Sequence, residues 1–369
     1  MLRRWCVESR APRSHVFAVT FRGRCRCRRV YLQSAVDLPP SPKKLSPASI
    51  DCPRIGSMHD LPSIGRRFCA ATLATVGLFV LFASPLPSKE SSLAGLLQAQ
   101  VNRAMEKLTG AFVVVDVESR SMLAAHRLDL ASRQLEAPGS TLKPFLLMSL
   151  LESGRLDPNQ QLLCRKPLRI GTAQMDCTHP SQIKELNAAN AIAYSCNSYV
   201  AEVALRLNGA KLAELLRRTG LDSPSGLVDR EARGRIDTPS TQEDLQLEAL
   251  GYRGIEVTPL ELLEAYRRLA LRRRQDNLGS DAPVFRGLED SVAFGMAHAA
   301  FVDGMKIAGK TGTSVARNTQ QTHGYFVAYA PAEKPQIVLV VYLAQGRGLD
   351  AAAVAQPVLQ GFAQFRNKP

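Results

Sequence analysis

Charge, serine or proline stops every mainly apolar run in this 369-residue chain short of twenty positions. The longest is Phe68 to Ala83, at 16, so a multispan membrane protein is excluded. Glycine (25) and proline (22) follow no period, and no internal repeat is visible, which removes collagen-like and solenoid architectures. Aromatics are sparse at 6%, with one Trp. Excess positive charge is small over most of the chain despite a formal net of +14: residues 1–67 carry +10, leaving +4 for the rest. The basic excess therefore belongs to a leader and does not argue for nucleic acid as a partner. His126, His298 and His323 have no evident acidic partner in sequence, so a Ser-His-Asp arrangement is unsupported. What remains is 45% apolar and 22% charged, a globular composition with ample chain for a core.

Residues 1–57 are Arg-rich, Pro-rich and without sustained period, and are read as a disordered leader. Met58 would open an ordinary signal sequence, which makes a start assigned too early the plain alternative; a nucleic-acid or acidic-lipid arm is the rival. Residues 58–84 combine Arg66 and Arg67 with the apolar run 68–83 and are read as an export signal. No Ala-x-Ala site follows it, which favours an uncleaved anchor over a secreted product. Positive charge before the run puts the remainder beyond an inner membrane, in the periplasm.

Beyond it, residues 85–109 read as a short linker and helix, and 110–369 as one domain. AFVVVDV (111–117) and SMLAAHR (121–127) predict two strands, and GMKIAGKTGTS, HGYFVAYA and PQIVLVVYLAQG three more. The middle, about 140–275, reads as largely helical, with AANAIAYSCNSYVAEVALRLNG taken as one helix, and AAAVAQPVLQGFAQF closes the chain as another. The order predicts a mixed α/β fold: an antiparallel five-stranded sheet flanked by helices, its strands drawn from opposite chain ends, with an inserted all-helical subdomain.

A serine with a lysine three residues later on a helix shares a face with it, so the amine can take the hydroxyl proton once its own pKa falls. Ser41–Lys44 lies in the leader, and Ser181–Lys184 lacks a small-residue turn before it. Ser140–Lys143 follows Pro138 and Gly139 and leads into an apolar run, which sets the hydroxyl at a positive helix end. Two more motifs follow in order: Ser195-Cys196-Asn197, the only Ser-x-Asn, and Lys310-Thr311-Gly312, the only Lys-Thr-Gly, which arises by chance in roughly one chain in ten of this length.

The ordered triple, with PGSTLKPF, YSCNSYVAEVALRL, GIEVTPLELLEAYRRLA, AGKTGTS and HGYFVAYAPAEKPQIVLVV, resembles the transpeptidase domain of class B penicillin-binding proteins over about 110–365. The resemblance implies Ser140 as acylated nucleophile, Lys143 as its base, and Ser195 as proton relay. It implies Asn197 holding Lys143 and substrate, Lys310 as a fixed positive charge, and Thr311 and Thr313 receiving a carboxylate. Gly312 would let the strand approach the peptide, and the amides of Ser140 and Thr313 would form an oxyanion hole. No cofactor is implied. The implied reaction is D,D-transpeptidation of peptidoglycan stem peptides, blocked by β-lactams, with a glycosyltransferase partner. A D,D-carboxypeptidase or β-lactamase is the hydrolytic alternative, although no convincing Glu-x-x-x-Asn is present; a penicillin sensor is the third reading. Relatives usually carry a large domain between membrane and transpeptidase, where only residues 84–109 intervene here, and LGYRGIEVTPL puts Tyr252 and Arg253 inside a usually glycine-rich stretch.

Cys164 and Cys177 lie 13 apart in the exported part. A disulfide between them is favoured, worth roughly 3 kcal/mol for such a loop. With His179 they could instead bind a metal, but a further ligand is missing, and Cys196 reads as a small buried packing residue, so no metal is expected.

Overall fold

The structure, a computed structural model, describes residues 89–275, 278–315 and 321–367. The leader and the apolar run 68–83 lie outside the described residues. No helix among the described residues is long and apolar enough to cross a membrane.

The framework is a five-stranded sheet of β1 (Gly110–Asp116), β2 (Met122–His126), β3 (Ala308–Val315), β4 (Thr322–Ala330) and β5 (Ile337–Leu343). Its order is β2-β1-β5-β4-β3, every pair antiparallel, so the first and last strands of the chain meet in the middle with Val113 opposite Val340. This is the predicted mixed α/β architecture. Both central strands are covered on both faces, which is why IVLVVYL and AFVVVD are near-continuous apolar runs without polar alternation.

Alternation then sorts side chains between two cores. Phe112, Val114, Leu339 and Val341 pack with Leu97, Val101 and Met105 of α1 (Lys89–Met105) and with Val358, Leu359 and Phe362 of the C-terminal helix Gly348–Arg366. Val113, Val115, Val338 and Val340 face the residues inserted between β2 and β3. Each fully buried aliphatic or aromatic side chain here contributes about 1.5–3 kcal/mol. Helix α1 also closes an edge: Gln98 donates Nε2 to Ala125 O at 2.9 Å and accepts from Ala125 N at 3.0 Å, satisfying an outer β2 peptide group.

The insert contains α2 (Leu128–Arg133), α3 (Lys143–Glu152), α4 (Ala188–Ala193), α5 (Asn197–Ala204), α6 (Gly209–Arg218), α7 (Gln242–Ala249), α8 (Pro259–Arg273) and α9 (Ala282–Ala293); the closing helix is α10. It is not wholly helical. Three two-residue strand pairs, such as Leu162–Leu163 with Glu185–Leu186, staple its loops. The stretch read as one helix from 188 to 209 is broken, because Tyr194 to Cys196 leave the helical path and Ser195 takes a left-handed φ of 53°.

Candidate active site

Three segments converge at the free edge of β3. The first is the turn carrying Ser140. Gly139–Leu142 form a 3₁₀ turn that runs directly into α3, whose Pro144 sits in the first turn, where no intrahelical bond is lost. The turn is clamped from several sides. Glu136 and Val257 exchange backbone bonds of 3.1 and 2.9 Å, Gly139 N donates to Gly251 O at 2.9 Å, and Tyr266 Oη donates to Thr141 O at 2.8 Å from α8. His323 Nε2 donates to Ala137 O at 2.8 Å, while its Nδ1 lies 3.7 Å from Glu136 Oε2. His323 therefore has an acidic neighbour that the sequence did not reveal, but its hydrogen bond serves the Ser140 turn and not the Ser140 hydroxyl.

Glycines set the turn against β3. A Cβ on Gly139 would stand 2.6 Å from Thr313 O, and one on Gly312 would stand 2.4 Å from Pro138 O. Gly312 is thus needed for the approach of the Ser140 turn.

The second segment is the break between α4 and α5. Its left-handed Ser195 turns both Ser195 O and Ser195 Oγ toward Lys143, which is fully buried. Lys143 Nζ donates to Asn197 Oδ1 at 2.5 Å and Ser195 O at 2.7 Å, with Ser195 Oγ at 3.3 Å. Asn197 is itself fixed, since its Nδ2 donates to Met175 O at 2.9 Å.

The third segment is β3. Lys310 is fully buried and donates to Ser195 Oγ at 2.9 Å and Thr311 O at 3.0 Å. One hydroxyl thus joins two buried amines. Burial pushes the Lys143 amine down to about 8, the nearby Cys196 and Cys177 thiols pulling back weakly. Burial also drives Lys310 well below the ordinary lysine range, and the neighbouring Lys143 charge adds to the fall. Burial and mutual repulsion thus both favour loss of a proton from the pair.

Ser140, Ser195, Asn197, Thr311 and Thr313 line one cleft of about 290 Å³. Among the described residues no hydrogen bond joins Ser140 Oγ to either amine, and this hydroxyl lines the cleft. Thr313 Oγ1 accepts from Gly348 N at 2.9 Å, which leaves its proton to donate outward. Sequence reasoning missed the remaining lining: Asp176, Thr178, Met296, Arg347 and Leu349. Arg347 is an exposed cation at the start of α10, so the 19-residue helix turns its positive end toward the cleft.

Residues 110–363 match the family model for the penicillin binding protein transpeptidase domain. The chain belongs to that family. It is 27% identical over 253 residues to the peptidoglycan D,D-transpeptidase FtsI of Buchnera aphidicola, covering 60% of this chain and 43% of that one. FtsI of Escherichia coli K12 is 26% identical over 320 residues, covering 73% of this chain and 54% of that one. The chain thus spans about half the length of these relatives. Among solved structures, the apo transpeptidase domain of Burkholderia pseudomallei penicillin-binding protein 3 superposes with a TM-score of 0.66 at 20% identity, over 76% of this chain and 96% of that one. A Burkholderia ambifaria structure described as a peptidoglycan glycosyltransferase gives 0.66 at 22%, over 76% and 97%. These likenesses carry the fold.

The expected bond between Cys164 and Cys177 is not formed. Their sulfurs stand 3.6 Å apart, because a third thiol, Cys196, and the ring of His179 share the same space. Cys196 is fully buried in the core, as expected, with the Cys177 thiol beside it.

Proposed function

We propose that this chain is a serine D,D-transpeptidase that cross-links peptidoglycan stem peptides through an acyl-enzyme on Ser140. The observation that carries the reading is the bridging of two buried amines, Lys143 and Lys310, by Ser195 in the cleft that Ser140 lines. With Lys143 neutral, its two N–H bonds to Ser195 O and Asn197 Oδ1 leave a lone pair for the Ser140 proton. Ser140 Oγ then bonds to the carbonyl carbon of the terminal D-Ala-D-Ala peptide bond. The oxyanion rests on the Ser140 and Thr313 amides, which the Gly139 approach keeps close together. As the C–N bond breaks, the proton that Lys143 took from Ser140 passes through Ser195 to the departing D-Ala nitrogen, and Lys143 is neutral again. An amine from a second stem attacks the ester and releases Ser140.

β3 is the sheet edge, so an extended stem peptide can lie along it, its terminal carboxylate meeting Thr311, Thr313 and Arg347. β-Lactams acylate the same hydroxyl. Among the described residues no glutamate lines the cleft, and its one acid, Asp176, is committed to Leu168 N at 2.6 Å and Gln174 Nε2 at 2.5 Å. That favours an acyl-enzyme awaiting an amine over rapid hydrolysis. Residues 58–84 would tether the domain to the inner membrane from the periplasmic side, within reach of a glycosyltransferase.

The test is covalent labelling of the full chain by a fluorescent penicillin. Ser140→Ala should abolish the label, and a label that persists removes Ser140 from its role. A stem-peptide donor with an added amine acceptor should yield the cross-linked product. Release of free acid alone, with acyl-enzyme lifetimes of seconds, would assign a hydrolase.

A further inference from the structure

Three thiols and an imidazole meet behind the cleft. Cys164 comes from the loop after Leu162–Leu163, Cys177 and His179 from the same excursion 13 and 15 residues on, and Cys196 from the residue that caps α5. One ligand atom from each lies within 4.8 Å of all the others. Adjacent pairs are tighter: Cys164 Sγ to Cys177 Sγ 3.6 Å, Cys177 Sγ to Cys196 Sγ 3.6 Å, Cys164 Sγ to His179 Nε2 3.4 Å. Around zinc, with Zn–S about 2.3 Å and Zn–N about 2.0–2.1 Å, a tetrahedron has S–S edges of about 3.8 Å and S–N edges of about 3.6 Å. A disulfide needs about 2.05 Å between two of the sulfurs and would leave the third beside it unused.

We propose that Cys164, Cys177, His179 and Cys196 bind one zinc ion in a closed tetrahedral site. The surroundings suit a metal. His179 is 2% exposed, and its Nδ1 faces Pro180 O at 3.1 Å, which fixes the proton there and leaves the Nε2 lone pair aimed at the thiols. The sulfurs are treated as acceptors: Asn197 N and Ser198 N donate to Cys177 Sγ at 3.2 and 3.4 Å, and Tyr199 N to Cys196 Sγ at 3.5 Å. Three thiolates, one neutral imidazole and Zn²⁺ leave a net charge of −1, and Lys166, bonded to His179 O at 2.9 Å, stands nearby as a cation. Loading expels one proton from each thiol and transfers no electron, so no redox partner is needed. Soft sulfur donors select zinc over magnesium or calcium.

The site has a consequence that rests on the proposed catalytic reading. Cys196 lies between Ser195 and Asn197, and Cys177 lies between the cleft residues Asp176 and Thr178. One ion therefore ties a wall of the cleft to both residues that hold Lys143, a positioning role.

The experiment uses the full chain, purified without chelator and assayed by plasma mass spectrometry. One zinc per chain is the expected result. Replacement by Co²⁺ after chelation should give thiolate-to-cobalt charge transfer in the near ultraviolet with intense visible bands of a tetrahedral site. Cys196→Ser and His179→Ala should each lose the zinc; the cobalt spectrum of the unaltered chain needs no variant to fold. A chain isolated with a Cys164–Cys177 disulfide, or one that binds neither metal after reduction, overturns the site. Chelation should slow penicillin acylation about tenfold, the scale seen when outer contacts of a site are lost. Unchanged acylation after zinc loss overturns the coupling to Ser195, and the metal count still decides the site itself.

Discussion

Gly139→Ala tests whether the Ser140 turn and β3 must touch for chemistry to occur. Two costs combine at this position. The left-handed φ of 57° penalises any Cβ by about 1–2 kcal/mol. The new methyl would also stand 2.6 Å from Thr313 O and 2.9 Å from Thr313 N, both backbone atoms of a paired strand that cannot rotate away. Carbon contacts become favourable only near 3.5 Å, so turn and strand must part by about 0.5–1 Å. A displacement of that size between Ser140 and the Thr313 amide should slow acylation about 10²-fold. Gly154→Ala is the matched control: its φ is 65°, but nothing lies within 4 Å of the added carbon. Both variants should lower Tm by about 2–4 °C per kcal/mol of shared backbone cost. Only Gly139→Ala should lose acylation, measured as the second-order rate with a fluorescent penicillin. Equal rates in the two variants would refute the close-approach argument.

Two further outcomes follow from the charges. With Lys143 lowered to about 8, its neutral fraction is about one-hundredth at pH 6, one-tenth at pH 7 and nine-tenths at pH 9. Acylation should therefore rise about tenfold per unit below pH 8 and level off above it, and a flat profile from pH 6 to 9 in rapid-mixing kinetics would count against Lys143 as base. Arg347→Ala should weaken use of a donor ending in a free carboxylate by roughly tenfold and leave the C-terminally amidated donor unchanged, read as kcat/KM for each; equal losses on both would deny Arg347 its carboxylate.

The fold was legible wherever the solvent environment is uniform along an element. β1 and β5 are buried on both faces and read directly as apolar strands. The break after α4 was not legible. AANAIAYSCNSYVAEV has helical periodicity throughout, and nothing local marks Ser195 as left-handed, because the preference is imposed by Lys143 and Lys310, 52 and 115 residues away along the chain. Arg347 and Asp176 escaped for the same reason: membership of the cleft is decided by long-range packing. Cys196 is buried as expected, but its neighbours Cys164, Cys177 and His179 lie 32, 19 and 17 positions earlier, outside any spacing rule for a single loop, so their grouping was not legible.

Ser195 shows why such a residue resists sequence reasoning and what it does for the molecule. A non-glycine residue at φ 53° stores about 1–3 kcal/mol of strain, and glycine there would relieve it. Glycine, however, would remove the hydroxyl that accepts from Lys310 at 2.9 Å and touches Lys143 at 3.3 Å, leaving buried N–H groups short of an acceptor at about 1–3 kcal/mol. The two terms are of the same size, so folding stability alone exerts little pull toward serine or glycine. The choice of serine is set by the amines, which burial has already pushed toward neutrality: a hydroxyl between two such groups can receive a proton from one side and pass it to the other without any side chain moving. In the proposed reaction, strain at this position is the local cost of a proton path, and it sits where the sequence, read residue by residue, predicts an uninterrupted helix.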